Sequence, residues 1–277
     1  MKQSRRLLAQ IGFFILQNPF LKNFITGEIY KGDIKNVCAP GLNCYSCPAA
    51  AASCPIGAIQ LFLAGVRHGV SLYVAGFLLT AGVVFGRFIC GFVCPMGLLQ
   101  DLAYSVKTPK LLLRLRFLRY LKYAVLAVFV VILPLALANE LSGLGQPWFC
   151  KYICPSGTIF GAIPLLAVNG FLRKFAGAQF IFKLSLAIGV LAAAVFIFRA
   201  FCRVLCPLGA IYSLFNKISV LRMRCDRDKC VSCGSCAKAC PARLEPASQP
   251  NSPECVRCGK CANACPKNAL TYNKIYS

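Results

Sequence analysis

Long apolar runs alternate with short polar segments marked by proline and glycine along most of this chain, and the C-terminal tail breaks that pattern. Residues 70–88, 120–138 and 180–198 are each about 20 residues long with few charges, enough as a helix to cross a hydrocarbon layer of about 30 Å. Backbone polar groups in lipid must pair within their own segment, so these runs predict helices. A weaker run, residues 7–16, follows Lys2, Arg5 and Arg6. No small-residue cleavage site follows it, so it reads as a retained first span, weakened by Gln10, Gln17 and the Asn18-Pro19 turn signal. The expected fold is an all-α polytopic membrane domain over 1–219, with four transmembrane helices and short re-entrant helices. A ferredoxin-like α+β domain over 225–277 follows it.

Composition sharpens this picture. The 277 residues are 58% hydrophobic and only 14% charged, which argues against an ordinary soluble domain. Lys and Arg number 31 against 8 Asp and Glu, a net charge of +23. In so apolar a chain that excess reads as basic loops orienting spans beside membrane lipid, and no nucleic-acid partner is expected. Lys107, Lys110, Arg114, Arg116 and Arg119 crowd one loop, whereas 139–170 carries only Lys151. The positive-inside bias then predicts a multi-pass protein of the cytoplasmic (inner) membrane with both termini cytoplasmic, and Lys217, Arg222, Arg224 and Arg227 agree.

The single histidine, His68, cannot supply bis-histidine haem ligation, and neither a C-x-x-C-H nor a nicotinamide-binding motif occurs, so no haem is expected. The 19 cysteines carry the chemistry. Cys230, Cys233, Cys236 and Cys240-Pro241 form C-x2-C-x2-C-x3-C-P, and Cys255, Cys258, Cys261 and Cys265-Pro266 repeat it. In such a pair of runs the fourth cysteine crosses to the other cluster. One [4Fe–4S] cluster is therefore assigned to Cys230, Cys233, Cys236 and Cys265, and a second to Cys255, Cys258, Cys261 and Cys240. Paired structural zinc sites are the alternative, although zinc usually takes separate C-x-x-C units. Cys38 and Cys225 fit no repeat and read as structural thiols.

A second repeat runs through the apolar part: Cys54-Pro55-Ile56-Gly57, Cys94-Pro95-Met96-Gly97, Cys154-Pro155-Ser156-Gly157 and Cys206-Pro207-Leu208-Gly209. Cys90, Cys150 and Cys202 precede three of them by four positions. Proline in the first turn places each leading cysteine where a short helix starts, and unpaired N–H groups there suit an anionic thiolate. The predicted topology puts Cys90, Cys94, Cys202 and Cys206 on the inner side as one iron-binding centre. Four of Cys44, Cys47, Cys54, Cys150 and Cys154 would form an outer one. Arg87 and Arg199, each three residues before an inner pair, could offset cluster charge or snorkel from a span end. Asp101 and Glu140 are the carboxylates near the spans, and Trp148 with Tyr152 reads as an interfacial aromatic belt. The alternative for the paired cysteines is reduced, packed thiols at helix starts, with disulfides a further option for the outer set.

Gly86-Arg87-Phe88-Ile89-Cys90-Gly91-Phe92-Val93-Cys94-Pro95, Phe201-Cys202-Arg203-Val204-Leu205-Cys206-Pro207 and the doubled tail motif resemble the polytopic ferredoxin-type membrane proteins of the NapH and MauN kind, and the membrane core of NosR-type proteins. The chain lacks the flavin-carrying domain of the NosR pattern and adds Asn43-Cys44-Tyr45-Ser46-Cys47-Pro48 to the simplest NapH pattern. The resemblance implies electron transfer in anaerobic or denitrifying-type respiration, with quinol or ferredoxin partners. The leading expectation is a membrane electron conduit, a subunit of an oxidoreductase system without a substrate pocket of its own. A redox-sensing maturation or regulatory protein and a cysteine-based handler of soft metal ions are the competing classes.

Overall fold

In the computed structural model, residues 3–65, 72–111, 116–137 and 145–273 are described. Lys2, His68, Arg114 and Glu140, and the ends of the runs at 70–71 and 138, all named above, lie outside them.

The apolar runs form helices, two of them of the expected length with bounds shifted by two or three residues towards the N-terminus. Phe117–Ala136 and Ala178–Phe196 are long and apolar enough to cross a membrane, and only 22% and 17% of their apolar windows is buried within the chain. The expected span over 70–88 is the helix Leu72–Phe85. Gly86, at φ 52°, stops it and turns the chain into the short helix Phe88–Phe92 that carries Cys90. Only glycine adopts that left-handed conformation freely. The helix after 178 ends at Phe196, and Arg199 takes φ 51° before Ala200–Val204 begins. Four spans are thus not all present as full-length helices among the described residues.

The first helix, Gln3–Gln17, departs further from a plain lipid span. Its buried residues are Arg6, Gln10 and Gln17, while Leu8, Ile11, Ile15 and Leu16 face outward. This reverses the amphipathic rule for a helix in water. The inward polar face has partners: Gln10 Nε2 donates to Asp101 Oδ2 at 2.8 Å and to Gly91 O at 3.0 Å, and Gln17 Nε2 to Val93 O at 2.8 Å.

Each C-P-x-G segment starts a short helix as anticipated. Pro55–Ala64, Pro95–Ser105 and Pro207–Phe215 have their proline in the first turn. The third repeat opens a helix that passes through a π-helical stretch, Gly157–Ala162, into Ile163–Val168. Cys54, Cys94, Cys154 and Cys206 all take extended backbone, with φ between −69° and −75° and ψ between 112° and 128°. One apolar core holds all four of these cysteines together with Cys90 and Cys202.

The tail forms an antiparallel pair of strands, Arg222–Cys225 with Leu270–Asn273, around two short helices, Ser235–Ala239 and Lys260–Asn263. It is bolted to the apolar part. Arg257 donates to Phe85 O at 2.9 Å and to Asn216 O and Ser219 Oγ at 2.6 Å, and Asn216 Nδ2 returns to Ser252 O and Cys255 O.

Two buried carboxylates anchor the interior. Asp101 accepts both prongs of Arg199, at 2.9 and 2.6 Å, and also pairs with Arg6. Glu254 gathers Lys122 at 2.6 Å, Arg203 at 3.4 Å and Arg87 at 3.6 Å. Asp101, noted from sequence only as a carboxylate near the spans, is therefore a counterion locked between two guanidiniums. Asp101→Asn keeps the shape but leaves Arg6 and Arg199 buried without their countercharge. The expected loss is ~3–5 kcal/mol, read as a lower unfolding midpoint of the full-length protein in detergent.

Candidate iron–sulfur sites

The cysteines gather into four sets. In the first, Cys206 interacts electrostatically with Cys202, Cys90 and Cys94, and all four are buried. Two peptide carbonyls of this set are held by the arginines three residues before each pair, in exchange. Arg87 Nη2 donates to Cys202 O at 3.1 Å, and Arg199 Nη1 donates to Cys90 O. Both arginines are fully buried, so the snorkelling alternative falls: their charge is used inside, next to thiols. Close approach depends on glycine. A Cβ on Gly97 would sit 2.6 Å from Cys90 O, and one on Gly209 would sit 2.7 Å from Cys202 O.

The second set is Cys44, Cys54, Cys150 and Cys154, which line one cavity of about 590 Å³ with Lys183. Cys54 interacts with Cys150 and Cys154, and Cys44 with both of the latter. Cys47, the fifth thiol of the expected outer group, stands aside. It packs with Ala49 and Ala50, its Sγ reaching Asn18 Oδ1 at 3.7 Å. Ala50 occupies the place four before Cys54 where the other repeats carry cysteine, and Cys44 comes to the cavity from further back in the chain.

The tail supplies the other two sets. Cys240, Cys255, Cys258 and Cys261 line one pocket, and Cys230, Cys233, Cys236 and Cys265 line another of about 290 Å³. Cys225, read from sequence as structural, lines that second pocket too and interacts with Cys230, Cys236 and Cys265. Cys38 instead pairs its backbone with Ser53. Burial pushes Cys255 up to about 11 and Cys261 up to about 12. Both are thiols near neutral pH, and binding iron through them releases their protons. Cys233 is shifted the other way by its hydrogen bonds with Ser235.

All four sets are thiol-only, the donor chemistry of iron–sulfur clusters. Among the described residues no three His, Cys, Asp or Glu side chains converge to hold a single metal ion, and three of the four sets line a cavity. The residues present fit cluster ligation.

Contacts place the sets in order. Leu42 N–H donates to Cys94 Sγ at 3.4 Å while Leu42 O accepts Ser156 Oγ at 3.1 Å, tying the first set to the third repeat. Tyr212, fully buried, interacts with Cys54 as well as with Cys90, Cys94 and Cys206, and its hydroxyl donates to Pro40 O at 2.9 Å. On the other side of the first set, Gly91 abuts Val256 O, and Arg87 Nη1 reaches Pro253 O at 2.6 Å. The two tail sets meet at the cluster of Met223, Cys261 and Leu270, against which Cys236 and Cys255 pack, so the sequence of sites is Cys44/54/150/154, then Cys90/94/202/206, then Cys240/255/258/261, then Cys230/233/236/265.

Sequence reasoning missed the glutamines and the Glu254 node of this arrangement. Gln60 and Gln100 touch cysteine sulfurs, and both stand six residues after the leading cysteine of a repeat, a spacing visible in the sequence. For the glycines, Gly97→Ala is expected to destabilise by ~1–3 kcal/mol, because the Cβ meets backbone that cannot step aside. Gly189→Ala, with open space around its Cβ, is expected to be neutral or slightly stabilising in the same thermal melt.

One family profile, described as a 4Fe-4S binding domain, matches residues 68–117, 123–167 and 180–224; a second of the same description matches 226–243 and 250–271. An uncharacterised protein of Methanocaldococcus jannaschii is 25% identical over 219 residues, 79% of this chain and 77% of that one. The methylamine utilization ferredoxin-type protein MauN of Paracoccus denitrificans is 31% identical over 170 residues, 57% of this chain and 50% of its own length. YccM of Escherichia coli, named for electron transport, is 42% identical over 55 residues, 20% of this chain and 15% of that protein. No solved structure matches. The profile matches take in the second, third and fourth C-P-x-G repeats and both tail runs, and the chain belongs to the 4Fe-4S binding-domain family.

Proposed function

We propose that this chain is a membrane-bound iron–sulfur electron carrier. It would pass electrons between a ferredoxin-like tail, two cysteine-ligated centres in the apolar part, and a quinol or extracytoplasmic redox partner. The observation that carries this reading is the order of the four thiol sets, each linked to the next through one or two intervening buried residues. A packed structural thiol needs no such succession, and a regulator that only senses redox state needs no path.

The clusters supply one-electron chemistry when bound; the chain's own residues fix where they sit and what surrounds them. The tail set of Cys230, Cys233, Cys236 and Cys265 would hold one [4Fe–4S] cluster, and Cys240, Cys255, Cys258 and Cys261 the other. Cys90, Cys94, Cys202 and Cys206 would hold the inner centre and Cys44, Cys54, Cys150 and Cys154 the outer one. Arg87, Lys122 and Arg203 around Glu254 leave net positive charge between the inner set and Cys255, suited to thiolate-bound centres on either side.

Membrane residence is supported by the outward apolar faces of Gln3–Gln17, Phe117–Ala136 and Ala178–Phe196, too extensive for a water-facing surface. A quinol partner is supported by an apolar groove of about 330 Å³ lined by Phe13, Phe77, Phe85, Phe88, Ile89 and Val93. Ile89 and Val93 each directly precede a cysteine of the inner set.

Two measurements test the reading. In full-length protein prepared without oxygen, Cys94→Ser with Cys206→Ser should lower iron and acid-labile sulfide by one centre while the tail clusters keep their paramagnetic signals. Iron content equal to that of the parent would overturn the inner centre. Reporter fusions after Tyr30, Pro109, Asn169 and Ser277 should report outside, inside, outside and inside; an inside signal at Asn169 contradicts the orientation.

A further inference from the structure

The four C-P-x-G segments pair off, first with third and second with fourth, and two glutamines make the pairing. Gln60 and Gln100 are both fully buried. Gln60 Nε2 donates to Cys150 Sγ at 3.3 Å and to Ile56 O at 3.2 Å, while its Oε1 accepts the Phe149 N–H at 2.8 Å. Gln100 Nε2 donates to Cys202 Sγ at 3.0 Å and to Met96 O at 3.2 Å, while its Oε1 accepts the Phe201 N–H at 3.1 Å. Phe149 and Phe201 each directly precede the cysteine concerned. The two amides therefore make the same three contacts, one in each set of four thiols.

This arrangement fixes which end of the amide faces sulfur. A backbone N–H can only donate, so the carbonyl end must point at Phe149 or Phe201. The NH2 end is left for the sulfur and the carbonyl one turn back. The third and fourth repeats carry Phe160 and Tyr212 at the equivalent place, and the Tyr212 hydroxyl goes to Pro40 O rather than to a sulfur. Each set thus receives one glutamine amide, and it always falls on the first cysteine of a C-x3-C pair.

We propose that Gln60 and Gln100 set the reduction potentials of the outer and inner centres, an inference that rests on the reading of those thiols as iron–sulfur ligands. A ligand sulfur carries more negative charge in the reduced state. An N–H aimed at it is a stronger hydrogen bond after the electron arrives, which favours reduction and raises the potential. Both glutamines touch the centre only through a ligand sulfur, so they are positioning and tuning residues rather than ligands.

The test is a potentiometric titration followed by electron paramagnetic resonance on the full-length protein, with iron and sulfide counted in each sample. Gln100→Leu is expected to move one membrane centre to a more negative potential and to leave the other and both tail clusters where they were. Gln60→Leu is expected to do the same for the other membrane centre. Should either leucine variant fail to assemble its centre, Gln100→Glu or Gln60→Glu keeps the shape and sets a carboxylate against the sulfur, with the same downward shift expected. Unmoved midpoints in variants that retain all their iron would overturn the role of the glutamines alone. A parent protein holding only the iron of two tail clusters would instead overturn the reading of the membrane thiols on which it rests.

Discussion

Buried charge is the constraint around which this chain is arranged. Arg6, Arg87, Lys122, Arg199 and Arg203 all lie out of solvent, against the two carboxylates Asp101 and Glu254. A buried ion without partners costs far more than a packed apolar side chain, so an interior with more cations than anions calls for further negative charge or dense carbonyl contacts. The carbonyls are there: Cys90 O, Cys202 O, Gly91 O and Pro253 O all receive guanidinium N–H groups. Thiolate ligands of the adjacent cysteines fit the remaining positive charge, and this couples the packing of the apolar part to the chemistry it would hold.

The same constraint explains why local sequence signals reached some features and not others. The doubled C-x2-C-x2-C-x3-C-P run and the four C-P-x-G segments are short-range patterns, and short helices with proline in the first turn follow directly from them. Which repeat faces which is a long-range matter. Gln60 meets Cys150 and Gln100 meets Cys202 across 90 and 102 positions of chain, and hydrophobic periodicity carries no information at that separation. The choice of Cys44 over Cys47 was equally hidden, since both lie in one short loop and only the packing of Ala49 and Ala50 turns Cys47 away. Gly86, at positive φ, and Ile197, in extended backbone, end their helices two or three residues before the apolar runs do, because hydropathy does not register backbone conformation.

Helix Gln3–Gln17 shows how an ambiguous segment resolves once its partners are known. Its glutamines weaken it as a lipid span, yet they lie on the face that meets Gly91, Val93 and Asp101, and the leucines and isoleucines are turned outward. A helix that buries its polar stripe against protein and offers its apolar stripe to the surroundings is suited to a bilayer rather than to water. The polar residues that argued against a span are the means by which it is fastened.

Glu254 ties these threads together at the junction of tail and apolar part. It directly precedes Cys255, so the residue that pairs with Arg87, Lys122 and Arg203 also lies beside the first cysteine of a tail run. Arg87 in turn holds the peptide carbonyl of Cys202. One carboxylate thus connects the neighbourhood of Cys255 to Cys202 through a single arginine, while Gly91 lets the two backbones touch. The tail is consequently no independent ferredoxin on a tether: removing it would strip three buried cations of the one carboxylate they pair with among the described residues and uncover the Cys90/94/202/206 set. The interface that stabilises the fold is the same one an electron would cross, which makes the relative position of the two thiol sets a property of the core rather than of a linker.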